Sequence, residues 1–154
     1  MTGVLLDTNV LVHATYRRSV MHEPARELLE RALRRRGLFC VAPQNLVEFA
    51  AVVTRGHSSD PPLDPAGAAE RVRILYRSRR LLKIYPRRAT VLRTAQEGAA
   101  LKIRGSLWYD LFLAVTMREA GVRVIVTENI ADFRRIPFVH SMTIRDAVED
   151  AGAV

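Results

Sequence analysis

The chain has 154 residues and a net charge of +8, from 24 Lys and Arg against 16 Asp and Glu, and 49% of it is hydrophobic. This length suits one domain with a sizeable core, so we expect a single domain over 1–154. No apolar run approaches the roughly 20 residues of a membrane span, and the first residues indicate a strand rather than a signal peptide. We therefore expect a cytoplasmic protein without membrane association, and its one cysteine, Cys40, excludes an internal disulfide.

Short apolar runs alternate with amphipathic stretches in the first half of the chain. Val4, Leu5 and Leu6 form a run too brief for a helix, which predicts a strand over 3–7 that ends at the polar Asp7. The next predicted elements are a helix over 22–36 with Gly37 as its C-cap, a strand over 38–42, a helix over 44–54 after Pro43, and a long loop over 55–65.

The second half continues the alternation. Asp64 followed by Pro65 is typical of an N-cap and the first residue of a helix, which we expect to reach about residue 79. The other predicted elements are a strand over 81–85, helices over 89–102 and 107–120, and strands over 122–126 and 141–144. Ser106 is the expected N-cap of the helix 107–120. For the helix 89–102 the spacing predicts burial of Val91, Leu92, Ala95, Ala99 and Ile103.

This order of elements predicts an α/β fold. Strands that alternate with helices favour a parallel sheet with helices on both faces, and such folds place their sites at the carboxyl edge of the strands. Asp7 and the segment 127–132 both follow predicted strands. We therefore expect the functional residues to lie at that edge.

Three carboxylates, Asp7, Glu48 and Asp110, interrupt stretches that otherwise resemble core. A carboxylate is costly to desolvate unless it is paired, hydrogen-bonded or bound to a metal. Because the three are far apart in sequence, the simplest explanation is that the fold brings them to one cation site. Each also has a structural alternative: Asp7 could cap the next segment, Glu48 could pair with a buried arginine, and Asp110 could stabilise the first turn of its helix.

The ligand types favour a hard cation. Carboxylates without accompanying His or Cys ligands favour Mg²⁺, with Mn²⁺ as a substitute, over zinc. The four histidines, His13, His22, His57 and His140, have no spacing typical of a zinc site.

Four segments together carry a resemblance to a known family. They are LLDTNVLV at 5–12, QNLVEF at 44–49, the stretch 105–114 around Asp110, and VTENIADF at 126–133. In this order, over a chain of this length, they resemble the PIN-domain ribonucleases, and specifically the VapC-type toxins of bacterial toxin–antitoxin pairs. The resemblance implies a PIN-like three-layer α/β/α fold with a short, mostly parallel central sheet.

The resemblance also implies an activity and its residues. It implies a Mg²⁺-dependent endoribonuclease that hydrolyses RNA phosphodiesters, with the metal held by Asp7, Glu48 and Asp110. Many relatives carry an aspartate where this chain has Asn129, which brings no charge. Either Asn129 or Asp132, one helical turn further on, completes the site.

Several neighbouring polar residues have expected supporting roles. Thr127 is expected to position a ligand or the attacking water, and Thr8 or Asn9 to orient Asp7. Glu128 is a poorer candidate for the site, because its direction is not defined by the sequence.

The basic charge suits a polyanion such as RNA, or an acidic protein. By resemblance the partners are an RNA substrate, a second copy in a homodimer, and an acidic antitoxin. Trp108, Tyr109 and Phe112 are candidates for the protein contacts, although aromatic residues at helical spacing are more often core. Candidates for RNA phosphate contacts are Arg17, Arg18, Arg34, Arg35, Arg36, Arg77, Arg79, Arg80, Arg87, Arg88, Arg134 and Arg135.

Other functions stay open at this point. A non-catalytic PIN-like module that binds RNA or protein would not need the acids. A housekeeping PIN nuclease acting on ribosomal RNA precursors would use the same acidic centre, so fold-level analogy does not select the substrate. A phosphatase of the Asp-x-Asp kind would need an acid where Asn9 stands.

Overall fold

Five short parallel strands form the centre of the fold. In the computed structural model, which describes residues 3–56 and 60–150, they are β1 (Val4–Leu6), β2 (Phe39–Val41), β3 (Leu82–Lys83), β4 (Val124–Val126) and β5 (His140–Met142). Their order in the sheet is β3-β2-β1-β4-β5, and every pairing is parallel. The predicted α/β fold with a parallel sheet is confirmed, and β1 is its central strand.

Eight helices surround the sheet. They are α1 (Thr8–Thr15), α2 (His22–Arg34), α3 (Pro43–Arg55), α4 (Pro65–Arg77), α5 (Thr90–Ala100), α6 (Leu107–Glu119), α7 (Ile130–Phe133) and α8 (Ile144–Glu149). The predicted Asp64 cap of α4 is confirmed, because its side chain accepts from the N–H of Gly67. The sequence patterns missed α1, α7 and α8. α7 is only one turn long, and α1 and α8 each follow a strand with one residue between them, so the strand pattern runs into the helix.

Alternating strand residues point to two separate cores. Val4 and Leu6 lie in a core with α1, α2, α3, α4 and α8, whereas Leu5 packs with α6 and α7. Cys40 and Ile125, the middle residues of β2 and β4, lie on the same side as Leu5. Burial raises the pKa of the Cys40 thiol to about 12, so this cysteine is an apolar core residue, as expected. The two cores produce the three-layer α/β/α arrangement.

The buried face of α5 differs from the prediction. Of the residues expected inside, Ile103 is buried, but Val91 and Leu92 are 65% and 69% exposed, and Ala95 and Ala99 are exposed as well. The face turned inward consists of Thr90, Thr94 and Gly98. These small residues allow α5 to approach α6 closely, which hydrophobicity alone does not indicate.

Other predicted boundaries and caps also differ from the structure. β5 covers His140–Met142, so Thr143 and Ile144 begin α8 instead of ending a strand; the Thr143 side chain caps that helix. β3 is shorter than the predicted strand over 81–85. Ser106 occupies the N-cap position of α6 but makes no side-chain capping bond. His57 lies outside the described residues.

None of the helices in the described ranges is long and apolar enough to cross a bilayer.

The contact between α5 and α6 generates a test. A methyl group at Gly98 would overlap the ring of Trp108, so Gly98→Ala is expected to destabilise the protein by about 1–3 kcal/mol in urea denaturation. In a Trp108→Ala background the same change should be neutral or slightly stabilising, because alanine is the better helix former. Equal destabilisation in both backgrounds would contradict this contact.

Candidate active site

Three carboxylates line one pocket at the carboxyl edge of the sheet. Asp7 follows β1 directly, Glu48 lies in the second turn of α3 just after β2, and Asp110 lies in the first turn of α6. Asn129, which follows β4 and precedes α7, lines the same pocket. The structure thus brings together the acids that the sequence singled out, and it places them at the predicted edge.

Asp7 is 7% exposed, and both of its oxygens accept hydrogen bonds. Oδ1 accepts from the backbone N–H of Thr8 at 2.7 Å, which caps α1. Oδ2 accepts from the Thr127 hydroxyl at 2.6 Å and from the Asn9 amide at 3.0 Å. Burial raises the pKa of Asp7 above its ordinary value and nearby Glu48 adds to this, while the bonds from Thr127, Thr8 and Asn9 oppose it.

Thr127 connects the end of β4 to Asp7. Its hydroxyl is completely buried, donates to Asp7, and accepts from Asn9 Nδ2 at 2.9 Å and from the N–H of Asn129 at 3.0 Å. This hydroxyl orients the carboxylate of Asp7, and Thr127 does not line the pocket. Thr127 thus positions Asp7, one of the expected metal ligands, and its expected role toward the attacking water stays a prediction.

Glu48 is also held by neighbouring polar groups. Its Oε2 accepts from the Thr8 hydroxyl at 2.9 Å, and its Oε1 accepts from Gln44 Nε2 at 2.9 Å. Within the described ranges it forms no ion pair with an arginine, so the structural alternative considered for it does not apply. Thr8, the residue that follows Asp7, therefore connects Glu48 to the start of α1.

Two supporting residues, Gln44 and Asn45, were missed by sequence reasoning. Asn45 is completely buried; its Oδ1 accepts from the N–H of Ala42 at 2.9 Å, and its Nδ2 lies 3.4 Å from Asp7 Oδ1. A polar residue at the third position of a helix is typical of a reciprocal capping contact, which was the available signal. It did not indicate the contact with Asp7.

Asp110 is half-buried, and its pKa is raised by its surroundings. Burial first, and then the charges of Asp7, Asp132 and Glu48, raise its pKa from 3.8 to about 7. No basic side chain among residues 3–56 and 60–150 forms an ion pair with it. No ion pair within the described residues therefore compensates the carboxylate of Asp110.

The residues that follow β4 have distinct positions. Asn129 lines the pocket, whereas Asp132 is exposed in α7 and influences Asp110 through its charge. Glu128 Oε1 accepts from the N–H of Ile144 at 2.9 Å at the start of α8. This contact gives Glu128 a structural partner away from the pocket.

The donor chemistry suits Mg²⁺ or Mn²⁺, because the pocket presents carboxylate and amide oxygens. Across the described part of the chain, however, no three His, Cys, Asp or Glu side chains converge closely enough to hold a metal ion. The oxygens of Asp7 and Glu48 are engaged by Thr127, Thr8 and Gln44. The donor set thus fits the ion, but these side-chain positions do not form its coordination sphere.

Comparison with known proteins identifies the family of this fold. The family model of the PIN domain matches residues 4–139. The chain belongs to the PIN-domain family. This PIN domain is also similar to Ribonuclease VapC48 of Mycobacterium tuberculosis, with 29% identity over 140 residues that cover 91% of this chain and 94% of that protein. The resemblance drawn from four sequence segments is confirmed.

Solved structures share the fold at lower identity. VapC20 of Mycobacterium tuberculosis, described as a toxin that cleaves the sarcin–ricin loop, superposes with a TM-score of 0.67 at 16% identity, over 89% of this chain and 97% of that chain. DNA-bound VapBC from Salmonella typhimurium gives a TM-score of 0.67 at 22% identity, over 94% and 99% of the two chains. These likenesses confirm the PIN-like architecture.

The raised pKa of Asp110 predicts an unusual pH dependence of stability without metal. Because its folded-state pKa of about 7 exceeds the unfolded value near 3.8, the folded chain retains this proton longer, and stability falls as pH rises between those values. The free energy of unfolding of Asp110→Asn should therefore exceed that of the wild type by about 1 kcal/mol at pH 8 and by less at pH 4. This figure is discounted because the carboxyl is half-exposed. Urea denaturation in EDTA measures this difference.

Asp146→Asn is the matched control for that experiment. Hydrogen bonds from Thr143 lower the pKa of Asp146, so its carboxylate stabilises the fold at pH 8, and the substitution should be destabilising there. Destabilisation by both substitutions at pH 8 would show that Asp110 is not under electrostatic strain.

Proposed function

We propose that this PIN domain is a metal-dependent endoribonuclease and the toxin of a VapBC-type toxin–antitoxin pair. The observation that carries the proposal is the pocket that Asp7, Glu48 and Asp110 line together, where burial and the neighbouring carboxylates raise the pKa of Asp110. Such a cluster is stabilised by protons or by a bound cation. The similarity to a protein named Ribonuclease VapC48, over 91% of this chain, supports RNA as the substrate.

Mg²⁺ or Mn²⁺ held by Asp7, Glu48 and Asp110 would supply Lewis-acid polarisation of the phosphate and activation of the attacking water. The chain's own residues hold these ligands in place. Thr127 and Asn9 orient Asp7, and Thr8 and Gln44 orient Glu48. Such supporting contacts matter because they limit the movement of each ligand.

The residues beside the acids have separate tasks in this proposal. The Asn129 amide at the pocket wall is placed to orient water or a phosphate oxygen, and its neutrality adds no repulsion to the cluster. Asp132 adds negative charge near Asp110 from outside the pocket lining.

The decisive experiment incubates the purified protein with a pool of labelled RNAs in Mg²⁺, in Mn²⁺ and in EDTA. We expect cleavage in either metal and none in EDTA. Asp7→Asn should lower the rate by at least ~100-fold, because it removes a ligand charge. Isothermal titration calorimetry on the same samples measures metal binding.

Glu70→Gln, which removes a surface carboxylate on α4, is the control and should cut RNA like the wild type. RNA binding without cleavage in either metal would instead support a non-catalytic module. Cleavage confined to ribosomal RNA precursors would support a housekeeping nuclease.

We also propose that the chain forms a homodimer through an apolar groove on α5 and α6. The groove has a volume of about 490 Å³ and is lined by Gln44, Val91, Thr94, Ala95, Trp108, Tyr109 and Phe112. Among the residues that the structure describes, no charged side chain lines this groove, so two copies of a chain with net charge +8 can meet there without local repulsion. Exposed apolar surfaces of this kind mark interfaces.

The groove also borders the acidic pocket. Gln44 Nε2 donates both to Glu48 Oε1 at 2.9 Å and to the carbonyl oxygen of Tyr109 at 3.2 Å. An acidic antitoxin that covered this region would contact the dimer and the active site together. The solved VapBC complexes of related fold support a partner of this class.

Val91→Arg tests the dimer. Val91 is 65% exposed in the groove, so a charge there should convert the protein to a monomer, as measured by light scattering after size-exclusion chromatography. Val20→Arg is the matched control, because Val20 is 87% exposed and does not line the groove. A dimer that survived Val91→Arg, or dissociated equally with Val20→Arg, would rule out this surface.

A further inference from the structure

Helices α1 and α3 form a groove that leads away from the acidic cluster. They run side by side in the same direction: the Thr8 hydroxyl at the start of α1 donates to Glu48, and the Tyr16 hydroxyl beyond its end donates to the carbonyl oxygen of Val53 at 3.3 Å. Both helices begin near Asp7. Later residues on either helix therefore lie progressively farther from the acids.

The chemistry of the pocket changes along this groove. Beyond the acids it is lined by Val12, Ala51 and Val52, and then by His13 and Arg55. Since Glu48 and Arg55 are separated by two helical turns, they share a face of α3 and lie roughly 10 Å apart along its axis. One pocket thus has carboxylates at one end, an apolar middle and a guanidinium at the other end.

Arg55 has no acidic partner within the described residues, and its side chain is exposed. Many other arginines on the helices do form ion pairs with glutamates: Arg26, Arg31, Arg34, Arg73, Arg93 and Arg118. Arg55 was also absent from the arginine runs that the sequence suggested for RNA contact. A guanidinium that is not paired with an acid presents a planar fork of donors suited to phosphate oxygens.

We propose that Arg55 binds a backbone phosphate of the RNA next to the one that is cleaved. The inference rests on the proposed nuclease function and names a binding residue for it. An acidic centre alone repels RNA, and a fixed cation in the same pocket offsets that repulsion while it sets the direction of the strand. The apolar surface of Val12 and Val52 lies between the two ends and would face the connecting sugar.

A structural role is the competing explanation for Arg55. It occupies the last turn of α3, where a cation stabilises the helix dipole. That role predicts a loss of thermal stability on substitution, without any change in the salt dependence of RNA binding. A phosphate contact predicts an unchanged melting temperature and a smaller salt dependence of RNA binding.

The test uses an RNA that the wild type cleaves, measured in the Asp7→Asn background so that binding is separated from cleavage. Fluorescence anisotropy in Mg²⁺ at several salt concentrations gives the affinity and its salt slope. Adding Arg55→Ala should weaken binding about tenfold and reduce the slope of log K against log salt by about one. Arg55→Lys should retain the slope, because it keeps the charge.

Arg123→Ala is the matched control, because Arg123 is exposed between α6 and β4, at the opposite edge of the sheet. It should leave affinity and slope unchanged. Equal effects of Arg55→Ala and Arg123→Ala, or a fall in melting temperature with no change in slope, would overturn the assignment. Unchanged RNA binding together with lost binding of an acidic protein partner would also overturn it.

Failure of the broader function gives a different result. If the wild type neither cuts nor binds any RNA in the pool, the nuclease proposal fails, and the Arg55 inference fails with it. If the wild type cuts RNA while Arg55→Ala binds and cuts it normally, the inference about Arg55 fails and the nuclease function stands.

Discussion

The buried carboxylate of Asp7 is the junction on which the site depends. One oxygen caps α1 through Thr8, and the other accepts from Asn9 and from Thr127 at the end of β4. A buried carboxylate is tolerated only when such donors surround it. The same bonds join the central strand to its neighbour, begin the next helix and aim the carboxylate at the pocket. The hydrogen bonds of Asp7 therefore contribute both to the fold and to the geometry of the pocket.

The electrostatics of the molecule have two opposite parts. The chain as a whole is basic, with a net charge of +8, which attracts a polyanion over long distances. The pocket is acidic, and burial together with the charges of Asp7, Asp132 and Glu48 raises the pKa of Asp110 to about 7. The free-energy cost of ionising Asp110 lowers the stability of the fold, as is typical of functional sites, and a bound cation would reduce this cost. Arg55, in the same pocket, is placed to moderate the repulsion toward a phosphate backbone.

Local patterns were enough to identify the acids and most of the elements. Asp7, Glu48 and Asp110 stand out because a charge inside an apolar run must find compensation, whatever the fold. The strands are recognisable as short apolar runs, and Asp64 before Pro65 marks a helix start by backbone chemistry alone. The order of these signals also predicted the parallel sheet, since parallel strands need helical connections between them.

Packing between distant segments decided the rest. Helical spacing pointed to Val91 and Leu92 as the buried face of α5, but close approach to α6 selected the small residues Thr94 and Gly98 instead. The partners of Thr127 and Glu128 depend on where β1 and α8 lie, and the position of Arg55 at the far end of the pocket depends on how α1 and α3 pack. A sequence records which side chains carry charge or bulk. The distances between segments, which determine what those side chains contact, are set only when the layers assemble.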